Sequence, residues 1–295
     1  MIDEPKYTKE IETLGTFTRT CGKMSASSFN KADAPIGVFD SGVGGLTVVR
    51  ALKERLPFEK IIYFGDTARV PYGVKSPETI TAYARQIAGF LLGRNVKMLI
   101  IACNTMSAVA YEAVASLSPV PVLDVITAGA GMVAGVTKTK RVGVIGTPAT
   151  ITSDAYPRAI SGRDPEIRVF SKACPLFVPL VEEGWLDHPA TRLVVREYLE
   201  PVLANRIDTL VLGCTHYPLL KPVLQETAGP DVRLVDSAVA VAEKTELLLK
   251  ETRLETLLRT PPEGRFYVTD APLRFQKMAE TFQGCPLSHL EIVKW

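Results

Sequence analysis

Eight short apolar runs alternate along this chain with longer segments of helical spacing, and that rhythm restricts the fold more than any other feature. The runs, each of strand length, occupy 36–39, 60–64, 98–102, 120–123, 141–145, 167–170, 209–212 and 232–235. Between them, 46–56, 76–92 and 191–203 place apolar residues at helical intervals. Strands alternating with helices close as parallel sheets with right-handed crossovers, so an α/β fold with mainly parallel sheets flanked by helices is expected. At 295 residues the chain is long enough for two such domains. Residues 1–33 carry charge, Thr and Ser without a sustained apolar period, and read as a flexible N-terminal extension.

A faint internal repeat supports the two-domain reading. Ile36-Gly-Val-Phe-Asp-Ser-Gly is echoed by Val142-Gly-Val-Ile-Gly-Thr-Pro, and Leu99-Ile-Ile-Ala-Cys-Asn-Thr by Leu210-Val-Leu-Gly-Cys-Thr-His. The paired blocks stand at similar separations, as in two related α/β units facing each other.

In the second pair of blocks an apolar strand ends at a Cys, polar capping residues follow, and an apolar periodic segment resumes. Cys103 and Cys214 are therefore expected at the carboxyl ends of strands beside helix N-termini, where ligands bind and the helix dipole lowers a thiol pKa. A lone cysteine is more often a small buried hydrophobe. Two at equivalent places suit inversion of a carbon stereocentre, with a thiolate removing a proton from one face and a thiol delivering one to the other. Asp40-Ser41-Gly42-Val43-Gly44-Gly45 lacks the full GxGxxG pattern of a phosphate loop. It reads instead as a tight turn presenting Asp40 and Ser41 to a small zwitterion. Pro71-Tyr72-Gly73 is a rigid turn whose amides suit a carboxylate, or a turn of purely structural use. His216 is the only histidine beside a candidate nucleophile, yet Cys214 and His216 are too close in sequence for a usual hydrolase pair.

Composition removes other classes. Lys plus Arg number 34 against 32 Asp plus Glu, a net charge of +2 with no basic block, so nucleic acid is not an expected partner. The best membrane candidate, 119–137, is interrupted by two prolines, Asp124 and three glycines, so no membrane association is expected. The amino terminus builds no apolar signal core. Five cysteines (21, 103, 174, 214 and 285) without CxxC spacing suit free thiols in the cytoplasm rather than disulfides or a zinc site.

Taken together the motifs resemble those of the bacterial glutamate racemases, in the cofactor-independent aspartate/glutamate racemase superfamily. The carriers are Phe39-Asp-Ser-Gly-Val-Gly-Gly-Leu, Phe64-Gly-Asp-Thr-Ala-Arg-Val-Pro-Tyr-Gly, Ala102-Cys-Asn-Thr, Leu212-Gly-Cys-Thr-His-Tyr-Pro-Leu-Leu and Leu234-Val-Asp-Ser. The resemblance implies two pseudo-symmetric α/β domains, 34–127 plus 237–295 and 128–236, with the active site in the cleft between them. It implies racemisation of glutamate with neither pyridoxal phosphate nor metal, Cys103 working on D-glutamate and Cys214 on L-glutamate. Asp40, Ser41, Tyr72, Gly73, Asn104, Thr105, Thr215 and His216 would line the substrate site. Asp40 would meet the ammonium and assist Cys103, while His216 would assist Cys214. Glu182 is the candidate for that same side, with Glu183 as its neighbour and rival. D-Glutamate so made would feed peptidoglycan synthesis, and with it cell wall biogenesis and cell shape, from a cytoplasmic homodimer. Some family members with N-terminal extensions need the precursor UDP-N-acetylmuramoyl-L-alanine as activator, but Gly65-Asp66-Thr67 looks like the activator-independent group. Aspartate-specific relatives tend to carry Glu where His216 stands. A racemase of another amino acid and a non-catalytic amino-acid-binding protein are the alternatives.

Overall fold

The computed structural model describes residues 30–295. All eight apolar runs form strands: β1 (Ile36–Asp40), β2 (Ile61–Gly65), β3 (Met98–Ile101), β4 (Val122–Asp124), β5 (Arg141–Gly146), β6 (Arg168–Ala173), β7 (Thr209–Gly213) and β8 (Arg233–Asp236). Two more, β9 (Arg265–Val268) and β10 (His289–Ile292), follow near the carboxyl end. In the first half of the chain the helices are α1 (Leu46–Arg55), α2 (Pro77–Leu92), α3 (Asn104–Leu117), α4 (Val125–Val136), α5 (Pro148–Thr152) and α6 (Ala155–Ser161). They are followed by α7 (Phe177–Glu182), α8 (Pro189–Leu203), α9 (Lys221–Ala228), α10 (Ser237–Thr252) and α11 (Pro272–Gln283).

The strands make two sheets, of order β10-β9-β2-β1-β3-β4 and β6-β5-β7-β8, and every pairing is parallel. Strands β1, β2, β3 and β7 are buried along their whole length, as strands covered on both faces must be. That explains why they read as continuous apolar runs rather than alternating ones.

The repeat has a topological counterpart. The order β2-β1-β3-β4 in one sheet is matched by β6-β5-β7-β8 in the other. In each, the chain leaves the first strand for one side and then returns to the other. The carboxyl ends of β1 and β3, and of β5 and β7, are therefore the two switch points where open α/β sheets form ligand crevices. Ser41 and Cys103 follow β1 and β3; Thr147 and Cys214 follow β5 and β7.

Helix starts follow ordinary capping chemistry. Asp124 Oδ1 accepts the Ile126 and Thr127 amides at 2.8 and 3.0 Å to open α4, and Asp236 Oδ1 accepts the Ala238 amide at 2.8 Å to open α10. Helix α10 packs against both α1 and α4, tying the segment after β8 back to the first sheet.

Residues 31–33, part of the expected extension, have defined structure. Lys31–Asp33 forms a 3-10 turn, and Asp33 Oδ1 accepts from Thr256 Oγ1 (2.8 Å) and the Leu257 amide (3.0 Å). The cause is Lys97, a buried ammonium that needs acceptors. It pairs with Glu59 and donates to the Ala32 and Leu254 carbonyls at 2.6 and 2.7 Å. The remainder of the expected extension, 1–29, lies outside the described residues.

Candidate active site

Cys103 and Cys214 line one cavity of about 480 Å³, and both are free thiols with only 6% of their surface exposed. Ser41, Tyr72, Gly73, Asn104, Thr105, Glu182, Thr215 and His216 line it with them. Asp40 does not. Its carboxylate is buried beneath the wall, Oδ2 accepting the Gly42 amide at 2.9 Å and Oδ1 without a partner among the described residues. Burial raises the Asp40 carboxyl above its usual range, against the lowering influence of that Gly42 bond.

The Cys103 surroundings differ from the sequence expectation in two ways. Cys103 itself, not Asn104, is the N-cap of α3, and its side chain makes no capping bond. Asn104 is used differently, its Oδ1 accepting from Tyr156 Oη at 2.7 Å. The helix terminus also fails to lower the thiol. Burial, followed by the charge of Asp40, pushes Cys103 up to about 12, outweighing the lowering influences of the Met106 amide and Ser41. Cys103 Sγ lies 3.6 Å from Ser41 Oγ.

Cys214, unlike Cys103, has no long helix directly after it. A 3-10 turn, Tyr217–Leu220, intervenes before α9. Its charged neighbour is His216, whose Nδ1 is 3.9 Å from Cys214 Sγ and whose Nε2 is 3.1 Å from Glu182 Oε1. Burial acts to lower the imidazole, but the bonds to Cys214 and Glu182 prevail and raise His216 to about 10. The Glu182 carboxyl is correspondingly lowered, first by its bond to His216. Phe282 of α11 meets the imidazole edge-to-face, with ring centres 5.1 Å apart. Of the adjacent glutamates, Glu182, at the last position of α7, reaches His216, and both line the cavity.

A pH dependence follows from the His216 arrangement. A folded-state pKa raised to about 10 contributes stability that is fully present below the ordinary value of about 6.5 and is lost as pH rises through 10. The stability gap between wild type and His216→Gln should therefore narrow between pH 7 and pH 10.5 in urea melts. A gap independent of pH would contradict a cationic His216.

The glycine turn after β1 is a device for close approach. A Cβ on Gly45 would lie 2.5 Å from that of Asp40, and one on Gly65 would lie 2.4 Å from the Gly42 carbonyl. Thr47 Oγ1, on α1, donates to the Thr215 carbonyl at 3.1 Å, which stitches the first unit to the Cys214 loop. The Tyr72 hydroxyl donates to Asp66, a carboxylate with no exposed surface that also pairs with Arg69 Nε at 2.7 Å and accepts from Thr269 Oγ1 at 2.9 Å. Tyr72 is held against the cavity from behind.

The sequence reading missed Thr147 and Arg274. Thr147 lies 3.0 Å from Thr105 through their hydroxyls, joining α3 to the loop after β5. The repeat carried its signal, because Thr147 occupies the place of Ser41. Arg274 of α11 lines the cavity and approaches Glu182 Oε2 at 3.6 Å, and no motif marked it. Among the described residues no group of three or more His, Cys, Asp or Glu could hold a metal, and no helix is long and apolar enough to cross a membrane.

The same architecture is found in known proteins. The family model described as Asp/Glu/Hydantoin racemase matches residues 36–245. A glutamate racemase of Syntrophus aciditrophicus is 69% identical over 260 residues, covering 88% of this chain and 96% of that protein. The crystal structure of the Francisella tularensis glutamate racemase in complex with D-glutamate matches with a TM-score of 0.84 and 46% identity, over 89% of this chain and 98% of that one. The Escherichia coli enzyme, in complex with L-glutamate and the activator UDP-MurNAc-ala, matches with a TM-score of 0.73 and 26% identity, over 88% and 98%. With two parallel sheets of repeated order and a cysteine at the switch point of each, the chain belongs to the Asp/Glu/hydantoin racemase family, among its glutamate racemases.

Proposed function

We propose that this protein interconverts L-glutamate and D-glutamate by passing protons between two thiols across Cα, with no cofactor or metal. One observation carries the reading: Cys103 and Cys214, at equivalent switch points of two repeated units, line one cavity of a size suited to an amino acid. The high Cys103 value keeps that residue a thiol at neutral pH, ready to donate. From L-glutamate, Cys214 as thiolate takes the Cα proton, and the electron pair of the broken C–H bond is held by the α-carboxylate. The Cys103 S–H then delivers its proton to the opposite face of Cα, and the reverse direction exchanges the roles. The His216–Glu182 pair supplies positive charge and orientation beside Cys214, and Asp40 acts on Cys103 from beneath the wall rather than on the substrate. Ser41, Tyr72, Gly73, Asn104, Thr105 and Thr215 position the substrate.

The cleft lies between two bodies, 34–127 plus 237–295 and 128–236, and the protein works as a cytoplasmic homodimer feeding D-glutamate to peptidoglycan synthesis. The test is circular dichroism of D-glutamate over time, without added cofactor, in the presence and absence of UDP-N-acetylmuramoyl-L-alanine. The signal should decay to zero at the same rate in both. A flat signal from folded protein, or turnover of aspartate alone, would overturn the reading, and decay only with the precursor would overturn activator independence.

A further inference from the structure

We propose that Tyr156 is a positioning residue for this reaction: it grips the oxygen of the Asn104 amide so that the nitrogen presents its hydrogens to a carboxylate of the bound glutamate; this rests on the glutamate reading above. Asn104 is on the cavity lining and Tyr156 is not. The Tyr156 hydroxyl donates to Asn104 Oδ1 at 2.7 Å, and the two residues are 1% and 2% exposed. The other end of the amide differs. Asn104 Nδ2 is buried with no hydrogen-bond partner among the described residues. A buried donor left so costs free energy, and that cost is recovered when a ligand in the cavity accepts from it. The glutamate ammonium has no lone pair to offer, so the substrate's acceptors are its carboxylate oxygens.

Two features keep the phenol in this role. Burial raises it above its ordinary range, so it holds its proton and stays a donor. The ring sits where two glycines leave room: a Cβ on Gly213 would come within 3.0 Å of it and one on Gly129 within 3.5 Å. Gly213 ends β7 next to Cys214, Gly129 lies on α4 and Tyr156 on α6, whereas Asn104 opens α3. The bond therefore reaches from one repeated unit to the other. Without the phenol the amide is free to turn over, since its two ends are nearly alike in shape. An amide oxygen facing the cavity would repel a carboxylate rather than bind it.

The experiment titrates full-length wild type, Tyr156→Phe, Asn104→Ala, Asn104→Asp and the Tyr156→Phe/Asn104→Ala double variant with an equilibrium mixture of D- and L-glutamate. NMR reads the affinity whether or not a variant turns over. Tyr156→Phe keeps the ring and its packing and should weaken binding about tenfold. Asn104→Ala should weaken it by about the same factor. The double variant should lose no more than about twofold beyond Asn104→Ala, because the phenol acts through the amide. Asn104→Asp keeps an acceptor for Tyr156 but offers no hydrogens, and should bind no better than Asn104→Ala. An equally large Tyr156→Phe loss with and without Asn104 would make the phenol a structural group only and overturn the assignment. Wild-type affinity in Tyr156→Phe or in Asn104→Asp would overturn it too, by showing that no amide hydrogen is presented. Failure of the wild type to racemise glutamate would instead overturn the function on which it rests.

Discussion

Cys103→Ser and Cys214→Ser should each lose glutamate racemisation by about 10³-fold, while Cys285→Ser keeps the wild-type rate. A hydroxyl holds its proton far more tightly than a thiol, so serine can neither serve as the base nor return a proton at a comparable rate. Since inversion needs both faces of Cα served, either change alone stops it. Cys285 is the internal control, an exposed thiol outside the cavity lining. The rates come from circular dichroism of either enantiomer, with urea melts to show that the variants fold. Equal rates in all three variants would mean that the sulfurs do not carry the proton.

The second large effect is expected from a single methyl group. Gly44→Ala would set a Cβ 2.2 Å from Thr215 Oγ1 and 2.6 Å from His216 Cε1 and Nδ1. Forcing extra volume into a packed site costs about 1–3 kcal/mol. Here the atoms that must retreat are those beside Cys214. A displacement near 1 Å at a reacting centre lowers rates on the order of 10²-fold, so activity should fall at least that far while the fold survives. Gly89→Ala on α2 is the matched control. Nothing lies within 4 Å of its added Cβ, and alanine in a helix interior stabilises by about 0.5–1 kcal/mol over glycine. Full activity in Gly44→Ala would show that this turn does not press on the Cys214 loop.

How much of this was legible beforehand follows from where each signal resides. Parallel strands covered on both faces must be apolar throughout, so β1, β2, β3 and β7 could be read one run at a time. Strand β10 could not, because three of its four residues are exposed and its pairing with β9 is set by the neighbour rather than by its own apolarity. The two cysteines were visible because the repeat marked them twice. The direction of the Cys103 shift was not: a helix N-terminus can be inferred locally, whereas burial and the charge of Asp40 arise only when β1 lies beside β3. Asp40 likewise reads as a contact in the linear motif, yet the turn it begins folds over it. Arg274 reaches the site from a helix far along the chain, and only packing brings it there.

The most direct test of the two-thiol account is deuterium uptake at Cα, followed by proton NMR in D2O with no added cofactor. Wild type should exchange the Cα hydrogen of both enantiomers, deuterium appearing first in the inverted product. Cys214→Ser should retain exchange into D-glutamate alone and Cys103→Ser into L-glutamate alone, in neither case with inversion. Loss of all exchange in both variants, or retention of the same enantiomer by both, would contradict the assignment of one sulfur to each face. Absence of exchange in folded wild type would contradict the mechanism itself.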